Sequence, residues 1–392
     1  MSGTGLSPLN ILVFSGDYWP DAGGIASHVG HLARALAHQG HQVSVIGGHR
    51  KPTRDWVENR GRSSTLREVM IRRTGPRGLR LVWFLVRALS ELKRVSSQAW
   101  DVVHFHNFLP DGVLLGLANW PRSAARVMTN HSDLLLRLLD EDRSLAPYRW
   151  LLRSVSGVIG PSQELQAKSQ LLLRGNQRCV YIPNGVDAEF FTPGPAEAEA
   201  MQALGANTEN RVVLATRRHD PKCGLDLLIR AVPYVIDAHP EALFSLVGDG
   251  PQTTTLKNLA HSLGVNKWVR FVGYVPHDQL PRYYRAAYLS VLPSIYEAVS
   301  LSGLESLACA TPVIGTRVGG IPEFVDDGRT GMLVEPNSPA DLARAITWLL
   351  DRPDTRESMA TAGRRAVQAT FSWDRIAEST VRFYLELLQR QG

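Results

Sequence analysis

The chain has 392 residues, 44% hydrophobic and 20% charged, which is more than one hydrophobic core usually serves, so two globular domains are expected and extensive disorder is not. No apolar run reaches the roughly 18–20 uncharged residues of a membrane span, and the start MSGTGLSPLNILVFSGDYWP lacks the basic opening of a secretory signal, so a cytoplasmic protein is expected. The formal charge of +6 favours acidic partners, while Cys179, Cys223 and Cys309 lie too far apart for a metal cluster and read as reduced thiols.

In chain order, NILVFSG, HQVSVIGG, DVVHFHN, ARVMTNH, GVIGPS and CVYIPNGVD are short continuous apolar runs, and GGIASHVGHLARALAHQG is a helical pattern between the first two. Runs too short for helices and too continuous for half-exposed strands fit a buried parallel sheet covered on both faces. Between them lies a basic stretch with Arg50, Lys51, Arg54, Arg60, Arg62, Arg72, Arg73, Arg77 and Arg80, followed by a helix that reads as apolar nearly all round. We expect a solvated loop and a buried packing helix there, with peripheral contact to an anionic membrane surface through residues 50–96 as the alternative. The Pro-, Ala- and Gly-rich segment AEFFTPGPAEAEAMQALGANTEN suits a linker. The strand pattern then restarts with RVVLATRR, ALFSLVGDG, VRFVGYV, LSVLPS and TPVIGT. The expected organisation is a first α/β domain at 1–187, a linker at 188–210, a second α/β domain at 211–370 and a C-terminal helix at 371–392 packing back on the first domain. Open sheets bind ligands at the carboxyl ends of their strands, so a cleft between the domains is the expected site.

Several polar residues fall at such strand ends. Glu297 sits on the loop after LSVLPS and Glu305 on the first turns of the next helix; alone, the pair is equally read as one loop charge and one helix charge. The helix start offers free N–H groups and the positive end of a dipole, which together suit an anion. Arg217 and Lys222 follow RVVLAT and can reach one anion from one loop, though a solvated basic turn has the same composition. Gly23 and Gly24 stand between strand and helix, where backbone can approach phosphate, a weak signal taken alone. His131 follows ARVMT, either lining the cleft or serving as a structural histidine. His104 and His106 are expected on opposite faces of their strand, with His106 nearer the opening. Gly248, Asp249 and Gly250 read as a structural turn. The pair Asp140 and Asp142 in RLLDEDRSLAPY reads as a solvated helix end, not a divalent-metal site.

Taken together, DYWPDAGGIASHVGHLARALAHQGHQVSVI, DVVHFHN, TNHSD, IPNGVD, ATRRHDPKCGLDLLI and the E-x-x-x-L-x-x-L-E spacing of Glu297 and Glu305 resemble, in order and over nearly the whole chain, the retaining glycosyltransferases of family 4. The resemblance implies the GT-B fold, two Rossmann-like domains facing a central cleft. It also implies transfer of a sugar from a nucleotide-diphosphate donor, UDP- or GDP-linked, to an acceptor hydroxyl held mainly by the first domain. By the same resemblance Glu305 would hold the ribose hydroxyls and Glu297 the donor sugar, with the backbone of Ser300 and Leu301 approaching the diphosphate and sugar. Tyr274 and Val275, in FVGYVPHDQL, would contact the nucleobase through backbone, Arg217 and Lys222 the departing phosphates, Gly23 and Gly24 the donor, and His131 the sugar near its reacting carbon. No metal or other cofactor is expected to be required, and no nucleic-acid partner. The chain departs from the family where Ala298, Val299 and Ser300 follow Glu297 in place of glycine, an aromatic and glycine, and where Cys223 separates Lys222 from Gly224. An epimerase, a glycosyl phosphorylase or a non-catalytic nucleotide-sugar sensor on the same fold are the alternatives.

Overall fold

The computed structural model describes residues 7–19, 23–49, 65–72, 80–96, 98–107, 111, 113–131, 146–298 and 300–390, which form two compact units, residues 1–184 with 373–392, and residues 185–372. The first unit is built on a seven-stranded parallel sheet ordered β3-β2-β1-β4-β5-β6-β7. Its strands are β1 (Asn10–Ser15), β2 (Gln42–His49), β3 (Leu66–Arg72), β4 (Val102–His106), β5 (Ala125–Thr129), β6 (Gly157–Gly160) and β7 (Arg178–Tyr181). The second unit holds a six-stranded parallel sheet ordered β10-β9-β8-β11-β12-β13. These are β8 (Arg211–Thr216), β9 (Ala242–Val247), β10 (Val269–Gly273), β11 (Leu289–Leu292), β12 (Val313–Thr316) and β13 (Gly331–Val334).

Continuous apolar runs become strands here because both sheet faces are covered. In β1, Ile11 and Val13 enter one core cluster while Leu12 and Phe14 enter the other. In β8, Val213 and Ala215 pack on one side of the sheet, Val212 and Leu214 on the opposite side. In each sheet the strand order runs outward in both directions from a central pair, β1 with β4 and β8 with β11. Helices leave that point toward opposite faces, so a crevice opens at the carboxyl ends of the pair.

The C-terminal helix Trp373–Gln389 belongs to the first unit. It buries Ile376, Ala377, Val381, Tyr384 and Leu387 among Val29, Leu32 and Leu36 of the helix Gly24–His38 and the strand side chains below. A Cβ on Gly157 would lie 2.6 Å from the Phe383 ring, so the helix sits directly on β6.

Three expectations need correction. The segment expected as a linker at 188–210 is part of the second unit, because Phe191, Ala200 and Leu204 bury themselves against Leu280, Tyr283 and Tyr284. The basic stretch contains β3, paired in parallel with β2, whose Glu68 accepts a hydrogen bond from the buried Tyr18 hydroxyl. Residues 50–64 and 73–79, with most of the basic side chains named above, lie outside the described residues, as do Asp140 and Asp142. The helix Arg80–Val95 is not apolar all round: Phe84, Ala88 and Leu92, spaced four apart, are buried, while Val82 and Val86 are exposed. Among the described residues no helix is long and apolar enough to cross a membrane.

Tyr384 and His104 lock the C-terminal helix to β4 through a 2.6 Å hydrogen bond between two fully buried side chains. Tyr384→Phe leaves the His104 Nδ1 without this partner and is expected to destabilise the first unit by about 1–3 kcal/mol. Denaturant unfolding of both proteins measures it, and an unchanged midpoint would show that the hydroxyl carries no stability.

Candidate functional site

In the second unit the site forms where the ends of β8 and β11 meet. Arg217 is the first residue beyond β8, and its guanidinium is nearly buried. Its Nη2 donates to Ser294 Oγ at 2.9 Å and to the Glu297 carboxylate, and its Nη1 donates to Ser300 Oγ at 3.2 Å and Ser302 Oγ at 3.4 Å. Burial opposes the charge on Arg217, but the Glu297 carboxylate, with the Cys223 sulfur nearby, overcomes it and holds the guanidinium pKa above its ordinary value. The Nε–H is buried with no hydrogen-bond partner among the described residues. The loop bearing Glu297 is held by backbone. Ile295 N–H donates to the Lys222 carbonyl at 2.8 Å, and Gly319, at φ +51°, lies so close that a Cβ there would stand 1.4 Å from the Glu297 carbonyl oxygen. Lys222 is exposed on the three-residue 3-10 turn Pro221–Cys223. The structure therefore brings Arg217, Lys222, Glu297 and Ser300 to one loop cluster. Ser300 caps the helix Leu301–Ala308, accepting from Gly303 N–H, which leaves the Leu301 end of that helix beside the guanidinium.

Glu305 lies one turn further along this helix and is buried, 6% exposed. Both of its oxygens are engaged: His277 Nε2 approaches one at 2.9 Å and the Tyr284 hydroxyl donates to the other at 2.9 Å. Burial works against protonation of His277, yet the hydrogen bond and charge of Glu305, helped by Asp278 and Asp187, raise its pKa above 6.5. Burial and then the Glu305 charge push the Tyr284 phenol well up. The Phe191 ring packs edge-on against His277 with centroids 5.2 Å apart. Tyr274 is exposed and Val275 packs partly on the core. Gly248, read as a turn, abuts the Arg217 carbonyl and supports the end of β8.

In the first unit, Gly23 precedes the helix Gly24–His38 with φ +152° and open space where a Cβ would be. His131 lies just past β5, its Nε2 3.2 Å from His106 Nδ1. His104 and His106 do not point to opposite faces: residues two apart on a strand share a face, and their rings are 4.3 Å apart. His104 is bonded to Tyr384 and Thr129, and His28, from the first helix, joins the group with Asn184 as its partner at 2.7 Å. Sequence reasoning missed His28, Ser294, Ser302, His277 and Tyr284. His28, Ser294 and His277 lie inside the runs GGIASHVGHLARALAHQG, LSVLPS and FVGYVPHDQL, while Ser302 and Tyr284 carried no signal.

A family profile described as "Glycosyltransferase Family 4" matches residues 22–190, and one described as "Glycosyl transferases group 1" matches residues 196–366. A D-inositol 3-phosphate glycosyltransferase from Acidothermus cellulolyticus is 30% identical over 390 residues, spanning 94% of this chain and 86% of its own. The chain belongs to glycosyltransferase family 4. An uncharacterized glycosyltransferase from Methanocaldococcus jannaschii is 27% identical over 396 residues, 98% of this chain and 100% of its own. Among solved structures, a sucrose-phosphate synthase from Thermosynechococcus elongatus is similar with a TM-score of 0.80 and 26% identity, covering 97% of this chain and 100% of that one. The two parallel sheets of this glycosyltransferase are those of the GT-B fold.

The His277–Glu305 pair gives the second unit a pH dependence of known sign. Because the folded pKa of His277 is raised, the stability from its protonated form is fully present below the unfolded value near 6.5 and lost as pH rises through the raised value. The melting-temperature gap between the wild type and His277→Gln is expected to narrow from about pH 6 to about pH 9. A gap constant over that range would assign His277 a packing role alone.

Proposed function

We propose that this glycosyltransferase moves a sugar from a nucleoside-diphosphate donor to an acceptor hydroxyl with retention of anomeric configuration and without a required metal ion. The observation that carries the reading is the convergence of Arg217, Lys222, Glu297 and the capped start of the helix Leu301–Ala308 at the carboxyl ends of β8 and β11. An anion at this point meets a guanidinium, an ammonium and a helix N-terminus, groups that stabilise charge developing on a departing diphosphate more than charge in the ground state. The unsatisfied Nε–H of Arg217 supports this role, since a buried charged donor without an acceptor is costly until a ligand oxygen supplies one.

Each polar group then has a task. Arg217 and Lys222 hold the leaving phosphates. Glu305, one turn inside the helix, accepts from the ribose hydroxyls, its carboxylate oriented by His277 and Tyr284. Glu297, fixed by Arg217, accepts from the donor sugar, and His131 contacts that sugar near its reacting carbon. The bond from the anomeric carbon to the phosphate oxygen breaks as the acceptor oxygen bonds on the same face, and the departing phosphate oxygen takes the acceptor proton. Gly23 and Gly24 offer backbone to the donor, and the backbone at Tyr274 and Val275 offers contacts to the base.

A panel of UDP- and GDP-sugars, scored by the rise in melting temperature each produces, is expected to identify one donor. Transfer from that donor should continue in excess EDTA and should yield the donor's own anomeric configuration by NMR of the product. Loss of turnover restored only by Mg²⁺ or Mn²⁺, or an inverted product, would overturn the corresponding half of the proposal, and donor binding with no transfer to any acceptor would favour a sensor.

The two glutamates are expected to fail differently. Glu305→Gln should weaken the bare nucleoside diphosphate by about 1–2 kcal/mol, since the charge-assisted bonds to ribose weaken. Glu297→Gln should leave that affinity nearly unchanged and lower kcat and the discrimination between epimeric sugars. Calorimetry with the nucleotide beside steady-state rates with the donor separates them, and equal loss of nucleotide affinity in both variants would refute this division.

A further inference from the structure

Among the described residues, His28, His106 and His131 are the one group of three metal-capable side chains whose ligand atoms all come within 4.8 Å of one another. They come from three separate elements of the first unit: the helix Gly24–His38, the last residue of β4, and the turn after β5. Nothing in the diphosphate chemistry above requires them to converge.

Their arrangement is that of ligands. His28 Nδ1 faces the Asn184 side-chain oxygen at 2.7 Å, and an amide oxygen only accepts, so the ring proton is on Nδ1 and Nε2 carries a lone pair. That Nε2 is buried and has no hydrogen-bond partner among the described residues. A ligating histidine is oriented in this way, its other nitrogen donating to a carbonyl oxygen that sets the tautomer. His106 Nδ1 and His131 Nε2 are hydrogen-bonded 3.2 Å apart; an ion that replaced the shared proton would find them close to the roughly 3.3 Å between two nitrogens that each lie about 2.0–2.1 Å from one tetrahedral ion. His28 and His106 are 3% and 0% exposed, while His131 is only partly buried and leaves a side for an ion to enter. Neutral imidazole is the form that binds a metal ion. Three imidazoles without a carboxylate select Zn²⁺, Co²⁺, Ni²⁺ or Cu²⁺ over Mg²⁺ or Ca²⁺.

We propose that His28, His106 and His131 bind one divalent transition-metal ion, with Zn²⁺ the fitting species, and that its binding inhibits sugar transfer by taking His131 away from the donor sugar. The inhibitory half rests on the role given to His131 above; the binding half does not. The ion is distinct from any metal on a diphosphate, so a chelator relieves inhibition and does not abolish activity.

The test uses the full chain freed of metal by chelation, titrated with ZnCl₂ by calorimetry and with Co²⁺ by visible absorption. The expected result is one ion per chain with Co²⁺ bands of tetrahedral intensity, and affinity about tenfold or more weaker in both His28→Gln and His131→Gln. Folding of each variant is checked by circular dichroism, and the more exposed His131 keeps the test decisive if His28→Gln does not fold. His239→Gln, which removes the imidazole between Glu241 and Asp351 of the second unit, is expected to bind as the wild type does. Absence of stoichiometric binding, or loss only in His239→Gln, overturns the site. Stoichiometric Zn²⁺ should also lower the transfer rate about tenfold or more, reversibly with EDTA; bound Zn²⁺ with an unchanged rate overturns the inhibitory role. Failure of transfer with every donor would instead count against the proposed function, because the binding titrations involve no turnover.

Discussion

The second unit turns on the nearly buried ion pair between Arg217 and Glu297. A guanidinium taken out of water is tolerable only when its donors are met, and here one carboxylate and three serine hydroxyls meet those of both terminal nitrogens. The pair spans the reversal of strand order, joining the end of β8 to the loop beyond β11. It thereby fixes the position of the following helix start through Ser300. Removing one partner would leave a buried charge uncompensated, a loss of about 3–5 kcal/mol in comparable pairs, so the loop geometry and the site electrostatics stand together.

Two glutamates eight positions apart end in different environments because one precedes the helix and one lies inside it. Glu297 is positioned by a cation and by backbone packed against Gly319, so its carboxylate is set by a charge. Glu305 is set by a histidine and a phenol deep against the core, with Phe191 behind the imidazole. The same side-chain type is thus held in two ways: one carboxylate against the Arg217 guanidinium, and one against the rings of His277 and Tyr284. Ser300 serves both as helix cap and as acceptor from Arg217.

The first unit concentrates imidazoles instead of opposite charges. Parallel strands all present their carboxyl ends on the same side, so His106 on β4 and His131 after β5 arrive together although 24 residues separate them in the chain. His28 arrives from the first helix, and Trp373 of the C-terminal helix closes over it with ring centroids 5.4 Å apart. That closing helix is the last of the chain, tied to β4 by Tyr384 and His104.

The amino-acid sequence by itself determined the two parallel sheets, because runs such as NILVFS and RVVLAT are apolar on both sides and have no stable place except a strand covered twice. It also marked Arg217, Lys222, Glu297 and Glu305, whose charges stand out against apolar strand ends and small residues. It did not reveal β3, whose side chains are mostly half-buried beside a basic stretch, or β13, whose two middle residues are half-buried. The amphipathic nature of the helix Arg80–Val95 was hidden by Val82 and Val86, which are apolar yet face solvent. Tertiary structure alone decided the partners: Ser294 and Ser302 for Arg217, His277 and Tyr284 for Glu305, and His28 with Asn184 beside His106 and His131. Those pairings join residues up to 156 positions apart. Local propensity and periodicity carry no information about such distances; strand order and helix docking set them.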